Sequence, residues 1–212
     1  MRTSEQAPRI VITRTPDAAA ELITELTEEL SALRSDGMGV CSDGSPEILC
    51  VPVHEAEAVS DAPRERAMEL LAQVRAGEFD ALTLTSKNGV RALAVLATER
   101  GIDLAQMLNP VQVACVGEST ANELQQLGVR VDFVPSVQDA VHMVKQWPST
   151  HIAQRILCVQ GANARPTLEQ GLTSLGHSVT CATVYTMSEF PARAPLSARS
   201  SGQTQTPHKT ER

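Results

Sequence analysis

Aromatic side chains are scarce in this chain of 212 residues: three Phe, one Trp and one Tyr, 2% in all. That leaves no row of ring faces on which the bases of a single-stranded nucleic acid could stack. Basic residues are outnumbered as well, 18 Lys and Arg against 25 Asp and Glu, for a formal charge of -7. The clustered cations that neutralise a phosphate backbone are therefore missing. No apolar run approaches the roughly 20 residues that cross a bilayer. Met1 to Pro8 is polar and carries Glu5, unlike a secretory leader. These absences exclude nucleic-acid and membrane partners and predict a cytoplasmic protein. Five cysteines, at 41, 50, 115, 158 and 181, form no C-x-x-C pair, and the odd count predicts reduced thiols used as small apolar side chains. The five histidines show neither H-x-x-x-H nor H-E-x-x-H spacing, so no metal site is expected. Walker, G-x-G-x-x-G and G-x-S-x-G motifs are all missing, which leaves phosphate-loop, dinucleotide and serine-hydrolase chemistry without support.

What is present is 42% apolar residues and 20% charged ones, arranged as short apolar runs alternating with amphipathic helical stretches. That is the pattern of an α/β fold. The spacing predicts strands at Arg9 to Thr13, Ile48 to Val53, Ala81 to Thr85, Val111 to Val116, Val129 to Val134, Arg155 to Val159 and Val179 to Tyr185. Helices are expected from Pro16, with Thr15 as cap and Leu22, Ile23, Leu26, Leu30 and Leu33 at helical spacing; from Pro63 to Ala76 behind Asp61; after Ser86; after Gly117; from Ser136 to Trp147; and around Leu168, Leu172 and Leu175. Residues 35–46, rich in Gly, Ser and Asp, read as a linker. The last 26 residues carry few large apolar side chains and read as a disordered tail. The strand, leucine helix, glycine and second strand that begin at Ile10 recur from Ile156, and the second pass looks cut short.

Two strand-to-helix junctions stand out, Thr85-Ser86-Lys87-Asn88-Gly89 and Gly117-Glu118-Ser119-Thr120. Unpaired N–H groups and the positive end of the helix dipole make such places anion sites, and in open α/β sheets ligands gather at that edge. A purely structural reading stands beside this one: Thr120-x-x-Glu123 is a capping box, and Gly89 or Gly117 eases a turn. Tyr185, the single tyrosine, ends a strand, where its hydroxyl either reaches a cleft or wets the edge of the core.

Taken in order, Ile10 to Pro16, Thr85-Ser86-x-Asn88-Gly89-Val90, Val116-Gly117-x-x-Thr120-Ala121, Gly161 with Arg165, and Val184-Tyr185 resemble uroporphyrinogen-III synthases over about residues 9 to 186. The resemblance implies two flavodoxin-like parallel-sheet domains joined by a two-strand ladder, the first domain discontinuous and incomplete here. On that division, residues 1–36 give the first strand and helix of domain 1, 37–46 the linker, 47–178 domain 2, 179–186 a strand returning toward domain 1, and 187–212 the tail. Members of the family continue past the tyrosine strand with further turns that 187–212 lacks, so the face of Leu22, Leu26 and Leu30 is expected to be poorly covered; a truncation or frame change near codon 187 would account for this. The implied activity is closure of hydroxymethylbilane to uroporphyrinogen III, with loss of water and inversion of ring D, by a monomer that needs no cofactor or metal. Tyr185 and Thr120 are the catalytic candidates, Tyr185 protonating the departing hydroxyl, since a phenol with a pKa of about 10 keeps its proton at neutral pH. Arg14, Ser86, Asn88, Gly117, Ser119, Gly161 and Arg165 are the substrate-binding candidates. The alternative is a flavodoxin-like remnant that binds an anion without turnover.

Overall fold

The computed structural model describes residues 9–35, 47–148, 152–191 and 196. The linker expected at 37–46, with Cys41, and the tail beyond 196 lie outside them. The chain is an α/β protein built on two sheets. In the smaller, β1 (Arg9–Ile12) and β2 (Glu47–Cys50) pair in parallel, Ile10 opposite Ile48. Between them runs α1 (Pro16–Ser35), opened by the fixed φ of Pro16, with Ala19 N–H bonded to Thr15 C=O. Ala19 is buried, Ile23, Leu26 and Leu30 are half-buried, and Leu22 is 37% exposed. The leucine stripe thus finds partial cover only, as the sequence predicts.

The larger sheet has the order β3-β7-β6-β4-β5. Its strands are β3 (His54–Ala58), β4 (Ala81–Leu84), β5 (Gln112–Cys115), β6 (Arg155–Gly161) and β7 (Ser178–Glu189). β7, β6, β4 and β5 are mutually parallel, while β3 runs antiparallel to the second half of β7, His54 opposite Glu189 and Ala58 opposite Tyr185. The inner strands read as nearly unbroken apolar runs because helices cover both faces. On one face lie α2 (Asp61–Arg75), α3 (Lys87–Glu99), α4 (Leu104–Leu108) and α5 (Glu118–Gln126), whose Leu70, Leu93, Leu108 and Leu124 pack toward Leu82, Leu84, Leu157 and Val159. On the other lie α6 (Ala140–Lys145) and α7 (Thr167–Ser174), whose Met143, Leu168 and Leu172 cover Ala81, Ala114, Ile156 and Cys158. A Cβ at Gly171 would stand 2.5 Å from Val144 Cγ2, so this glycine lets α6 and α7 approach.

Several expectations need correction. Residues 54–58 form a strand that their polar composition does not announce. Ser60, not Asp61, occupies the N-cap of α2; Asp61 is its first residue, at φ 51°. Val129 to Val134 makes no strand, only a single parallel bridge from Phe133 to Ala114, because Asp132 and Phe133 share one carbonyl, that of Val113. The helix expected from Ser136 shrinks to α6, because the Asp139 carboxylate accepts the His142 N–H and starts the helix there. β7 continues three residues beyond 186, held by β3, and Leu196 is buried with its N–H on Ala56 C=O. The polar character that reads as a tail from 187 therefore belongs at first to an ordered edge.

Candidate active site

Chain order positions the site. From β4 the chain steps outward to β5, then returns to lay β6 on the other side of β4. The order reverses between β4 and β6, and ligands in open parallel sheets lie outside the carboxyl ends of the strands at such a reversal. The two segments that leave those ends are Thr85 to Gly89 and Gly161 to Arg165.

At the first, Ser86 is the N-cap of α3. Its backbone is extended, and its Oγ accepts the Gly89 N–H at 3.1 Å. The same Oγ lies 2.9 Å from the phenol oxygen of Tyr185. At the second, Gly161 is paired with Tyr185 across an irregular register: Gln160 faces Thr183, but Gly161 faces Tyr185, so Val184 is the extra residue of a bulge. Val184 and Tyr185, neighbours in sequence, consequently both pack on the face covered by α2 and α3. Without the bulge, strand alternation would send Tyr185 to the opposite face. The tyrosine ring lies over Gly161: a Cβ there would be 2.6 Å from Tyr185 Cζ. Ala162 N–H closes the turn on Tyr185 C=O at 2.9 Å.

The second candidate junction leaves β5, the neighbour of β4, with Val116 N–H bonded to Leu84 C=O. Gly117, not Thr120, is the N-cap of α5. Thr120 is 4% exposed within the first turn, its N–H turned back on Gly117 C=O, so the exposed hydroxyl at this turn belongs to Ser119. Glu123 does not close a capping box; it pairs with Arg91 of α3 at 2.7 Å. The capping-box reading fails because the buried side of the turn holds Thr120 while a cation on the neighbouring helix takes the glutamate. Gln138, which sequence reasoning passes over, accepts the Glu118 N–H on its Oε1 at 3.2 Å and sits where a Cβ on Gly117 would reach. Burial, with the Glu118 carboxylate adding to it, pushes the Cys115 thiol behind this turn up to about 12, so no ready nucleophile stands there.

Of the remaining candidates, Asn88 lies in the first turn after Ser86 with its Nδ2 3.9 Å from Met187 Sδ. Arg14 and Arg165 are exposed and form no ion pair among the described residues. Arg165 lies in the segment that leaves β6; Arg14 follows β1, and the next helix reaches the start of α3 through Glu21 and Lys87, 2.8 Å apart. That lysine, first by hydrogen bond and then by charge, holds the Glu21 carboxyl below its usual range. The structure thus gathers Ser86, Asn88, Gly161 and Tyr185 at the reversal, sets Gly117 and Ser119 at the adjoining strand end, and keeps Thr120 inside. A cavity of about 410 Å³ opens elsewhere, along the middles of α3 and α5, lined by Asp17, Arg91, Ala94, Val95, Glu123, Leu127 and Leu196. Its walls are mostly helix flanks and an already satisfied ion pair, and it takes in none of the strand ends, so the reversal remains the better candidate. Among the described residues no helix is long and apolar enough to cross a membrane.

A family model described as uroporphyrinogen-III synthase HemD matches residues 41–203, well over half of the chain. The chain belongs to the uroporphyrinogen-III synthase family. A porphyrin biosynthesis protein HemD of Ruminiclostridium josui is 26% identical over 135 residues, which are 64% of this chain and 23% of that protein. A mutant uroporphyrinogen III synthase of the extremely thermophilic bacterium Thermus thermophilus shares the fold with a TM-score of 0.58 at 20% identity, covering 86% of this chain and 64% of that one. The wild-type Thermus enzyme gives 0.52 at 20% identity, with 86% and 63% covered. The chain therefore spans about a quarter of the curated relative and less than two thirds of the Thermus synthases.

Proposed function

We propose that the chain acts as a uroporphyrinogen-III synthase in haem biosynthesis, a cyclising lyase that takes the linear tetrapyrrole hydroxymethylbilane and closes it with inversion of ring D and loss of water. The observation that carries this reading is the Ser86–Tyr185 pair over Gly161 at the strand-order reversal, in a chain of this family. Of the division expected from the resemblance, with domain 2 at 47–178, we move β2 to the first domain, because it pairs with β1, and β7 to the second, because it pairs with β6 and β3.

Hydroxymethylbilane carries eight carboxylates, whereas the chain is net negative. Attraction at a distance is weak, so binding rests on local donors. With the Gly89 N–H taken by Ser86, the Lys87 and Asn88 N–H groups remain to meet a carboxylate at α3; with Glu118 N–H taken by Gln138, Ser119 supplies the donors at α5. Arg14 and Arg165 add fixed charge, and the Asn88 amide a further donor. On this reading Tyr185 gives its phenol proton to the departing hydroxyl, which leaves as water when the terminal C–O bond breaks. Uncatalysed closure gives the other isomer, so the larger task is to hold the folded chain while ring D turns over through the spiro intermediate.

A second reading, a non-catalytic anion-binding module, is favoured by one observation: among the described residues the β1–β2 sheet has two strands only. Supplying hydroxymethylbilane in situ, oxidising the products and separating the uroporphyrin isomers decides between the two. Isomer III above the uncatalysed background is expected; isomer I alone would leave binding without turnover.

A further inference from the structure

The family resemblance makes Ser86 a substrate-binding candidate. Its surroundings give it another task. A serine hydroxyl has one proton and two lone pairs. One lone pair receives the Gly89 N–H at 3.1 Å, because Ser86 caps α3. The first turn of a helix is the positive end of its dipole, and a hydroxyl there turns its oxygen toward the N–H groups and its proton away. The partner that lies away from the helix is the Tyr185 oxygen, 2.9 Å distant.

We propose that Ser86 is the positioning residue of Tyr185: its hydroxyl donates to the phenol oxygen, leaving the phenol's own proton for a ligand, while bare Gly161 admits the ring that the bulge at Val184 brings across. The tyrosine is held at three points. Its oxygen is held by Ser86, its flat face by Gly161, where a Cβ would come within 2.6 Å of Cζ, and its backbone carbonyl by Ala162 N–H. A phenol that accepted nothing would be free to spend its proton on Ser86; one that accepts from Ser86 keeps that proton for the oxygen of a leaving hydroxyl. Ser86 acts through Tyr185 and leaves carboxylate binding to Asn88, Ser119, the arginines and the backbone. This assignment rests on the synthase reading for the identity of the leaving group, but not for the direction of the hydrogen bond.

The chain holds a single tyrosine, so the tyrosine Fermi doublet in the Raman spectrum of the full-length protein reports Tyr185 alone, and its intensity ratio distinguishes a phenol that accepts from one that donates. The parent should show an accepting phenol, Ser86→Ala should lose that signature, and Ser86→Thr should restore it. Gly161→Ala, which pushes the ring off its seat, should lose it with the serine intact. In the isomer assay Ser86→Ala should lower kcat by about 10- to 100-fold with KM little changed, the cost of misplacing a reacting group. A doublet that is the same in the parent and Ser86→Ala overturns the proposal, and so does a phenol that only donates in the parent. A rise in KM with kcat retained would make Ser86 a carboxylate contact and overturn it equally. If Ser86→Ala does not fold, Ser86→Thr and Gly161→Ala decide the matter by the same doublet. A parent that yields isomer I alone while its doublet behaves as described would sink the synthase reading and leave the positioning role standing.

Discussion

Thr83 lies fully buried in the centre of β4, and its hydroxyl is without a hydrogen-bond partner among the described residues. Its neighbour in the row is Cys158, in register on β6, and a thiol is a weak partner. A methyl group of the same shape forfeits only a weak contact with that thiol, so Thr83→Val should leave the urea midpoint unchanged or raise stability by up to about 1 kcal/mol. A clear loss would mean that the hydroxyl is satisfied after all. At the same scale, Ser86 stood out in the sequence as a strand-to-helix junction and Tyr185 as the single tyrosine at a strand end, whereas Gly161 was singled out by the family resemblance alone. What joins them was not legible. The bulge at Val184 leaves no mark on a run of apolar residues, and Gln138 stands twenty residues from the N–H it satisfies, in a stretch that reads as helix. The Thr120–Glu123 motif misled because Arg91, remote in sequence, competes for the glutamate.

At the scale of elements, strong periodicity translated directly: α3 and α5 begin at turns that the sequence marks, α7 falls on the spacing of Leu168 and Leu172, and β4, β5 and β6 are the apolar runs. β3 was hidden because His-Glu-Ala-Glu-Ala has little strand propensity; it is a strand because β7 offers an open edge to pair with. The weight carried by each helix follows from its cover. Leu172 of α7 is fully buried, whereas Leu26 of α1 is only half-buried. Leu172→Ala should therefore cost about 2–5 kcal/mol in chemical denaturation and Leu26→Ala about 1 kcal/mol or less; equal costs would show α1 to be better covered than its exposure indicates. At the opposite end of the sheet from the site, Arg155 joins the starts of β6 and β4 through both carboxylate oxygens of Asp80 and through Gly77 C=O. The Arg155 side chain, by hydrogen bonding first, holds the Asp80 carboxyl below its usual range. A depressed carboxyl contributes stability that is complete above its unfolded pKa, near ~4. That contribution is lost as the pH falls through the lower folded value. Both side chains are more than a third exposed, so the effect is small. Asp80→Asn should flatten the acid limb of stability against pH below about 4 without moving its neutral plateau much. An unchanged acid limb would show that this carboxylate does not report on folding.

At the scale of the whole molecule, the alternation of strands and helices made the α/β class legible, and the order of motifs made the family legible. The reversal of strand order between β4 and β6 was not, because it depends on which edge each returning strand takes, a choice made by long-range packing rather than by local pattern. That reversal is what turns separate junctions into one site, and it fixes where a ligand should be felt. The most direct measurement is an amide and tyrosine-ring chemical-shift titration of the labelled full chain with uroporphyrinogen III under anaerobic conditions. Resonances of 86–89, Ser119, 161–165 and the Tyr185 ring should move together and saturate at one concentration, while those of Ala94, Val95 and Leu127 stay in place. Shifts that gather along α3 and α5 at the 410 Å³ cavity and spare the strand ends would contradict the account.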